Sequence, residues 1–168
     1  MILLTTNTAK FEPFANELAN LGICLMCPDE ILFEFQAETI EQCSKFKALW
    51  AARNLGHEVM VDDAGLLLAA HPGFPGPMTG IAVRTLRLDA WRALVASDNR
   101  AEMVCVLSWS DGQSVQSWEG RANGYLDFSR PIMPDKPGPL SSWFQCSEGP
   151  LEHRRKALVV MQQTMGAL

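Results

Sequence analysis

Three β-prone apolar residues, Val59-Met60-Val61, run directly into two adjacent carboxylates, Asp62-Asp63, and then into Ala64-Gly65-Leu66. The apolar run suits a short buried strand, and Ala64-Gly65 predicts a sharp turn of the backbone away from it. Successive side chains on a strand point to opposite faces, so Asp62 and Asp63 cannot aim at one atom in the same way. One faces a site and the other supports it. A hard cation such as magnesium keeps several waters and needs only one or two carboxylates plus the phosphates of a substrate. An Asp-Asp-Ala-Gly stretch is often just a solvated turn, so the string by itself leaves both readings open.

The 168 residues suit a single domain over 1–168, long enough to bury a sizeable core without staples. A hydrophobic content of 48% with 20% charged residues is ordinary for a soluble globular protein and excludes wholesale disorder. The formal net charge of −5 argues against duplex nucleic acid as a partner, since that demands a basic face. What it leaves is a small anion held by a few local cations. No apolar run reaches the roughly 20 residues that span a bilayer, and Met1-Ile2-Leu3-Leu4 is too short for a signal peptide and lacks its basic start. The expectation is a cytoplasmic protein with no membrane partner. The five cysteines form an odd set, several in apolar surroundings like Cys105, and read as reduced core residues. Cys24 and Cys27 make a C-x-x-C, but within a stretch that reads as a strand, whereas a redox pair wants a helix N-terminus. No second C-x-x-C completes a zinc set.

Along the chain, Ile2-Leu3-Leu4-Thr5 predicts a strand and Thr6-Asn7-Thr8 a polar turn, after which Phe11, Phe14, Leu18 and Leu21 recur at helical spacing. A second strand is expected over 23–27 and an extended segment over 31–35. Residues 38–54 are strong helix formers, with Gly56 as the C-terminal stop. The stretch 71–80 is dense in Pro and Gly and reads as an irregular functional loop or hinge. A helix is expected over 84–96, then a hairpin from 103–109 to 114–118 around Asp111-Gly112, and a further strand at Tyr125-Leu126. Residues 129–150, with five of the ten prolines, predict loop with at most a short helix, and 151–165 a closing helix.

Polar groups therefore collect where strands end or helices begin: Asn7 and Lys10, Glu34, Lys47, and Asp62-Asp63. Open α/β sheets hold phosphate ligands at such places. Each lysine alone reads as a solvated surface cation, and only their joint placement points to a metal with a triphosphate.

Several motifs, in order, resemble the inosine triphosphate pyrophosphatase family. Thr5-Thr6-Asn7-Thr8-Ala9-Lys10-Phe11 is similar to its T-G-N-x-x-K turn, with Thr6 in place of glycine. Glu34-Phe35-Gln36-Ala37-Glu38 resembles E-x-Q-x-E, and Lys47-Ala48-Leu49-Trp50-Ala51-Ala52 resembles K-A-x-x-A-A. Val61-Asp62-Asp63-Ala64-Gly65-Leu66 matches D-D-S-G-L with Ala64 for serine, and Gly73-Phe74-Pro75-Gly76-Pro77 matches G-x-P-G-x. Glu119-Gly120-Arg121 resembles the E-G strand end, and His153-Arg154-Arg155-Lys156-Ala157-Leu158 the S-H-R-x-K-A-L helix start. Two departures stand out: F-G-Y/W-D-P appears only as Phe128-Ser129-Arg130-Pro131, without the Asp, and Glu152 replaces the serine before His153.

The resemblance implies an α/β fold, a long twisted mixed β-sheet flanked by helices with two lobes around a central cleft, and a homodimer. It implies Mg²⁺-dependent hydrolysis of nucleoside triphosphates with atypical purine bases to monophosphate and pyrophosphate. Glu34 and Asp63 would bind the metal, and Asp63, with Asp62 and Lys10 beside it, would serve catalysis. Asn7, Lys10 and Lys47 would grip the triphosphate. Phe128 would stack on the base, and His153 and Arg154 would hydrogen-bond its edge. Glu152, near the base, would favour edges that donate hydrogen bonds. The alternatives are a pyrophosphatase of the same fold acting on another base, or a nucleotide-binding relative without activity.

Overall fold

A computed structural model of the chain describes residues 1–5, 10–27, 35–132 and 139–165. Strand β1 (Ile2–Leu4) leads through a 3₁₀ turn at Glu12–Phe14 into helix α1 (Ala15–Asn20) and strand β2 (Cys24–Met26). Helix α2 (Ile40–Leu55) has unambiguous ends. Thr39 and Gln42 form a reciprocal capping box at its start, and Gly56 closes it in a left-handed conformation with φ 71°. Its buried face carries Cys43, Ser44, Ala48, Ala51 and Ala52, small side chains that let the helix lie close on the sheet.

Strands β3 (Val59–Leu68), β5 (Arg100–Ser110) and β6 (Val115–Leu126) are long and antiparallel, and they form the spine of a seven-stranded mixed sheet in the order β2-β1-β3-β5-β6-β7. Strand β1 runs parallel to both β2 and β3. Strand β4 (His71–Gly76) pairs antiparallel with β3, off that path. Helices α3 (Thr79–Thr85), α4 (Leu88–Leu94) and α5 (Leu140–Trp143), strand β7 (Phe144–Gln145) and helix α6 (Glu152–Met165) complete the described elements.

Two cores lie along these strands. One joins Leu3, Phe11, Leu18, Met60, Leu107 and Trp118 to Ala157, Leu158 and Met161 of α6, while Leu4, Val59 and Val61 pack on α2 across the sheet. The other gathers Leu66, Leu68, Trp91, Leu126 and Trp143 under α3, α4 and α5. This is the two-lobed mixed sheet that the motifs imply.

Several expectations are corrected. The backbone does not turn at Ala64-Gly65: β3 stays extended through Leu68. Gly65 is there because a Cβ would lie 2.3 Å from the Gly76 carbonyl oxygen, so glycine admits a neighbouring strand rather than a turn. That neighbour falls in the Pro/Gly stretch 71–80, whose first six residues form β4 instead of an irregular loop. Pairing shifts register between Leu67 and Leu68, and Pro is tolerated because this is an edge strand. The helix expected over 84–96 is two short helices with extended backbone at Leu86 and Arg87, which lets Ala82 and Trp91 reach the same core. Tyr125-Leu126 is the end of β6, paired with β5 from Val115 onward, not a separate strand. Within 129–150 the short helix is present, and the two residues of β7 add to β6. Of the cysteines, Cys43 and Cys105 are buried, but Cys24 and Cys27 are exposed on the outermost strand and the residues after it. Most of the extended segment expected over 31–35 lies outside the described residues.

Candidate functional site

Strand β5 pairs with β3 along its whole length. On the other edge of β3, β1 pairs with residues 59–61 and β4 with 66–68. Two strands thus share one edge end to end, and among the described residues none pairs with 62–65 between them. The gap opens at the carboxyl end of β1, where the chain enters the turn that carries Asn7 and Lys10. It is the strand-end position at which α/β sheets receive ligands.

Alternation sends the two carboxylates of the gap to different faces. Met60 packs toward α6 and Val61 toward α2, so Asp62 follows the first and Asp63 the second. The ion pairs agree. Asp62 Oδ2 is 3.5 Å from Arg154 Nη2 of α6, and Asp63 Oδ2 is 3.6 Å from Lys47 Nζ of α2. Lys47 also donates to the Asp62 carbonyl at 3.4 Å, and Asp63 Oδ1 accepts the Ala64 N–H at 3.0 Å.

Lys10 belongs to the same cluster. Burial lowers its pKa, and the Arg154 charge lowers it further, against the pull of Asp62, Cys105 and Asp63. A partly buried ammonium facing a second cation favours an anion between them. His153 is pushed down to about 3 by burial, then by Arg154 and Lys10, so its ring is neutral. Burial raises the Cys105 thiol to about 12, which keeps it protonated and leaves the carboxylates as the anionic donors of the cluster.

Arg154 is nearly enclosed, at 2% exposure. Its Nη1 meets His153 Nε2 at 2.6 Å, its Cζ stands 5.5 Å from the centre of the Phe11 ring, and its Nε–H has no partner among the described residues. Two backbone features hold it there. Leu151 takes a left-handed φ of 62° ahead of α6, and its carbonyl accepts the N–H of Arg154 at 2.8 Å and of Arg155 at 3.1 Å. Strain of this kind persists only where packing over-determines it, and Leu151 packs against the first core. On the sheet side, a Cβ on Gly120 would sit 2.1 Å from the His153 carbonyl oxygen, so only glycine lets the first turn of α6 rest on β6.

Asp62, Asp63, Lys10, Lys47, His153 and Arg154 therefore meet at one place. Phe128 does not join them: its ring lies edge to face on Trp143, centroids 5.2 Å apart, in the second core. Asn7 and Glu34 lie outside the described residues. The carboxylate of Glu152 is taken by Arg155, with Nε to Oε2 at 2.7 Å and a second bond from Nη2 to Oε1, which lowers its pKa. Its expected part as an acceptor for a base edge is thereby occupied by a neighbour. Sequence reading missed Phe11, Leu151 and Gly120. Gly120 stood within a quoted motif, but nothing local marked Phe11 as the floor beneath a residue of α6.

Fold and cluster together define an α/β protein with a site suited to a small polyanion and a hard cation. The chain belongs to the Ham1 family, whose model matches residues 1–132. It is 29% identical to a dITP/XTP pyrophosphatase of Methanopyrus kandleri over 113 residues, 66% of this chain but only 60% of that relative's length. It is 27% identical to an inosine triphosphate pyrophosphatase of Tuber melanosporum, covering 99% of this chain and 97% of that one. Its fold matches a Ham1 protein from Coxiella burnetii with a TM-score of 0.76, at 20% identity over 99% of this chain and 98% of that one. For the Staphylococcus aureus Ham1 protein the TM-score is 0.70, at 20% identity and the same coverage.

Proposed function

We propose that this chain hydrolyses nucleoside triphosphates to monophosphate and pyrophosphate, with atypical 6-oxo purines such as those of inosine and xanthine as its preferred bases. The observation that carries the reading is the meeting of Lys10, Lys47 and Arg154 with Asp62 and Asp63 at the gap beside β3. Three cations against two carboxylates leave an excess of positive charge for a polyphosphate.

Lysines suit phosphate oxygens as compact point charges. Lys10 and Lys47, with Asn7 from the preceding turn, would fix the triphosphate chain. Water adds across the α–β anhydride bond, that bond breaks to release pyrophosphate, and the proton lost by the water passes to Asp63. The Asp63 side chain is 18% exposed, which water can reach. Hard carboxylate oxygens beside a protonated thiol fit magnesium better than a soft metal. Asp63 and Glu34 are the residues that would hold it. When bound, the ion neutralises charge that grows on the phosphates during displacement.

The family correspondence ends at residue 132, ahead of α6. It therefore supports the phosphate end more strongly than the base end, and a sibling enzyme for another base is the second reading. A homodimer, for which exposed Phe74, Met78 and Ile81 offer apolar area, and a cytoplasmic location complete the proposal. No helix among the described residues is long and apolar enough to cross a membrane. The test is pyrophosphate release from inosine, xanthine, guanosine, adenosine and pyrimidine triphosphates with Mg²⁺. Release from the 6-oxo purines is expected, a different best base would support the sibling reading, and binding without release would support an inactive relative.

A further inference from the structure

Arg154 is the residue that the family resemblance sends to the base, yet its surroundings give it other work. A guanidinium can only donate hydrogen bonds. With Arg154 Nη1 at 2.6 Å from His153 Nε2, that ring nitrogen must offer its lone pair. A neutral imidazole has one N–H, so the proton sits on Nδ1. Burial with Arg154 and Lys10 nearby keeps the ring neutral. Nδ1 has no partner among the described residues, which makes its N–H the donor left for a ligand. Arg154 is meanwhile held from three sides, by Asp62 Oδ2 at 3.5 Å, by the Phe11 ring at 5.5 Å and by His153, and its one N–H without a partner, on Nε, is enclosed.

We infer that Arg154 is a positioning residue that locks His153 in its Nδ1–H tautomer, and that His153, as a permanent donor, selects nucleobases presenting an oxo group. A 6-oxo group accepts from that N–H, whereas the 6-amino group of adenine sets donor against donor. Asp62 and Phe11 serve selectivity at one remove, by holding the lock. The inference rests on the nucleotide reading above.

Side-chain ¹⁵N spectra of His153 near neutral pH decide the tautomer without reference to activity. A pyrrole-like signal at Nδ1 and a pyridine-like signal at Nε2 are expected, and the reverse assignment overturns the inference. Paired substitutions then test selectivity, because the amide nitrogen of Asn falls near the place of Nδ1 and that of Gln near the place of Nε2. His153→Asn should keep the preference for inosine over adenosine triphosphate in kcat/KM, and His153→Gln should lose on the order of tenfold to a hundredfold of it. Arg154→Gln should mix the tautomer signals and lose the preference with them. Equal ratios in the Asn and Gln variants of an active enzyme overturn the inference while leaving the function intact. A wild type that releases no pyrophosphate from any nucleotide overturns the function itself, and with it the selective role of His153, whatever the tautomer.

Discussion

Asp62 and Asp63 are neighbours in sequence but serve opposite faces of β3, Asp62 paired with Arg154 of α6 at 3.5 Å and Asp63 with Lys47 of α2 at 3.6 Å. The same substitution should therefore do different things at the two positions. Asp63→Asn removes a metal-binding charge and the proton acceptor, so kcat should fall by about 10²–10⁴ with the fold retained. Asp62→Asn leaves Arg154 buried without its counter-charge, which should destabilise the fold by roughly 3 kcal/mol. Steady-state rates and urea unfolding on both variants check the division. Near wild-type turnover by Asp63→Asn would remove that residue from catalysis.

Lys10 and Lys47 approach the gap from different elements, and both are proposed to meet phosphate. Replacing either with Ala should weaken triphosphate binding by about 1.5–3 kcal/mol, the worth of a charge-assisted bond, and leave nucleoside binding nearly unchanged. Calorimetric titration with a nucleoside and with its triphosphate separates the cases. Equal losses for both ligands would mean that the lysines are structural.

Gly65 should tolerate no side chain. Alanine there would bring its Cβ to 2.3 Å from the Gly76 carbonyl oxygen and 2.8 Å from Ile40 Cδ1, and the first contact is backbone that cannot rotate away. We expect a loss of about 1–3 kcal/mol as β4 is forced off β3, read as a lower Tm. An unchanged Tm would show that β4 yields without penalty.

The buried imidazole makes stability depend on pH in a definite direction. In the folded chain His153 is pushed from 6.5 down to about 3, so the unfolded chain binds the proton first as pH falls. The contribution is fully present above pH 6.5 and is lost progressively down to about 3, with a slope of ~1.4 kcal/mol per pH unit. Between pH 6.5 and 5 the wild type should lose about 2 kcal/mol more than His153→Asn. Parallel pH profiles in urea unfolding would show that the native ring titrates at its ordinary value.

Much of this molecule was legible along the chain because the information is local. Alternation separated Asp62 from Asp63 before any contact was known. Thr39 and Gln42 with Gly56 bounded α2 through hydrogen bonds made within a turn, and Asp111-Gly112 marked the β5–β6 hairpin. The ordered motifs placed the family. What the chain could not show is which strand edge the Pro/Gly stretch would join. That depends on β4 finding the stretch of β3 that β1 leaves open, and only this pairing creates the gap where the charges meet. Nor could it show that Arg154 would be enclosed against Phe11 and tied to Asp62 across 92 residues, or that Phe128 would pack on Trp143. A sequence window registers propensity and periodicity over about ten to eighteen positions. Contacts at long separation are decided by how whole elements pack, and at this site they set which charges are buried and which face a ligand.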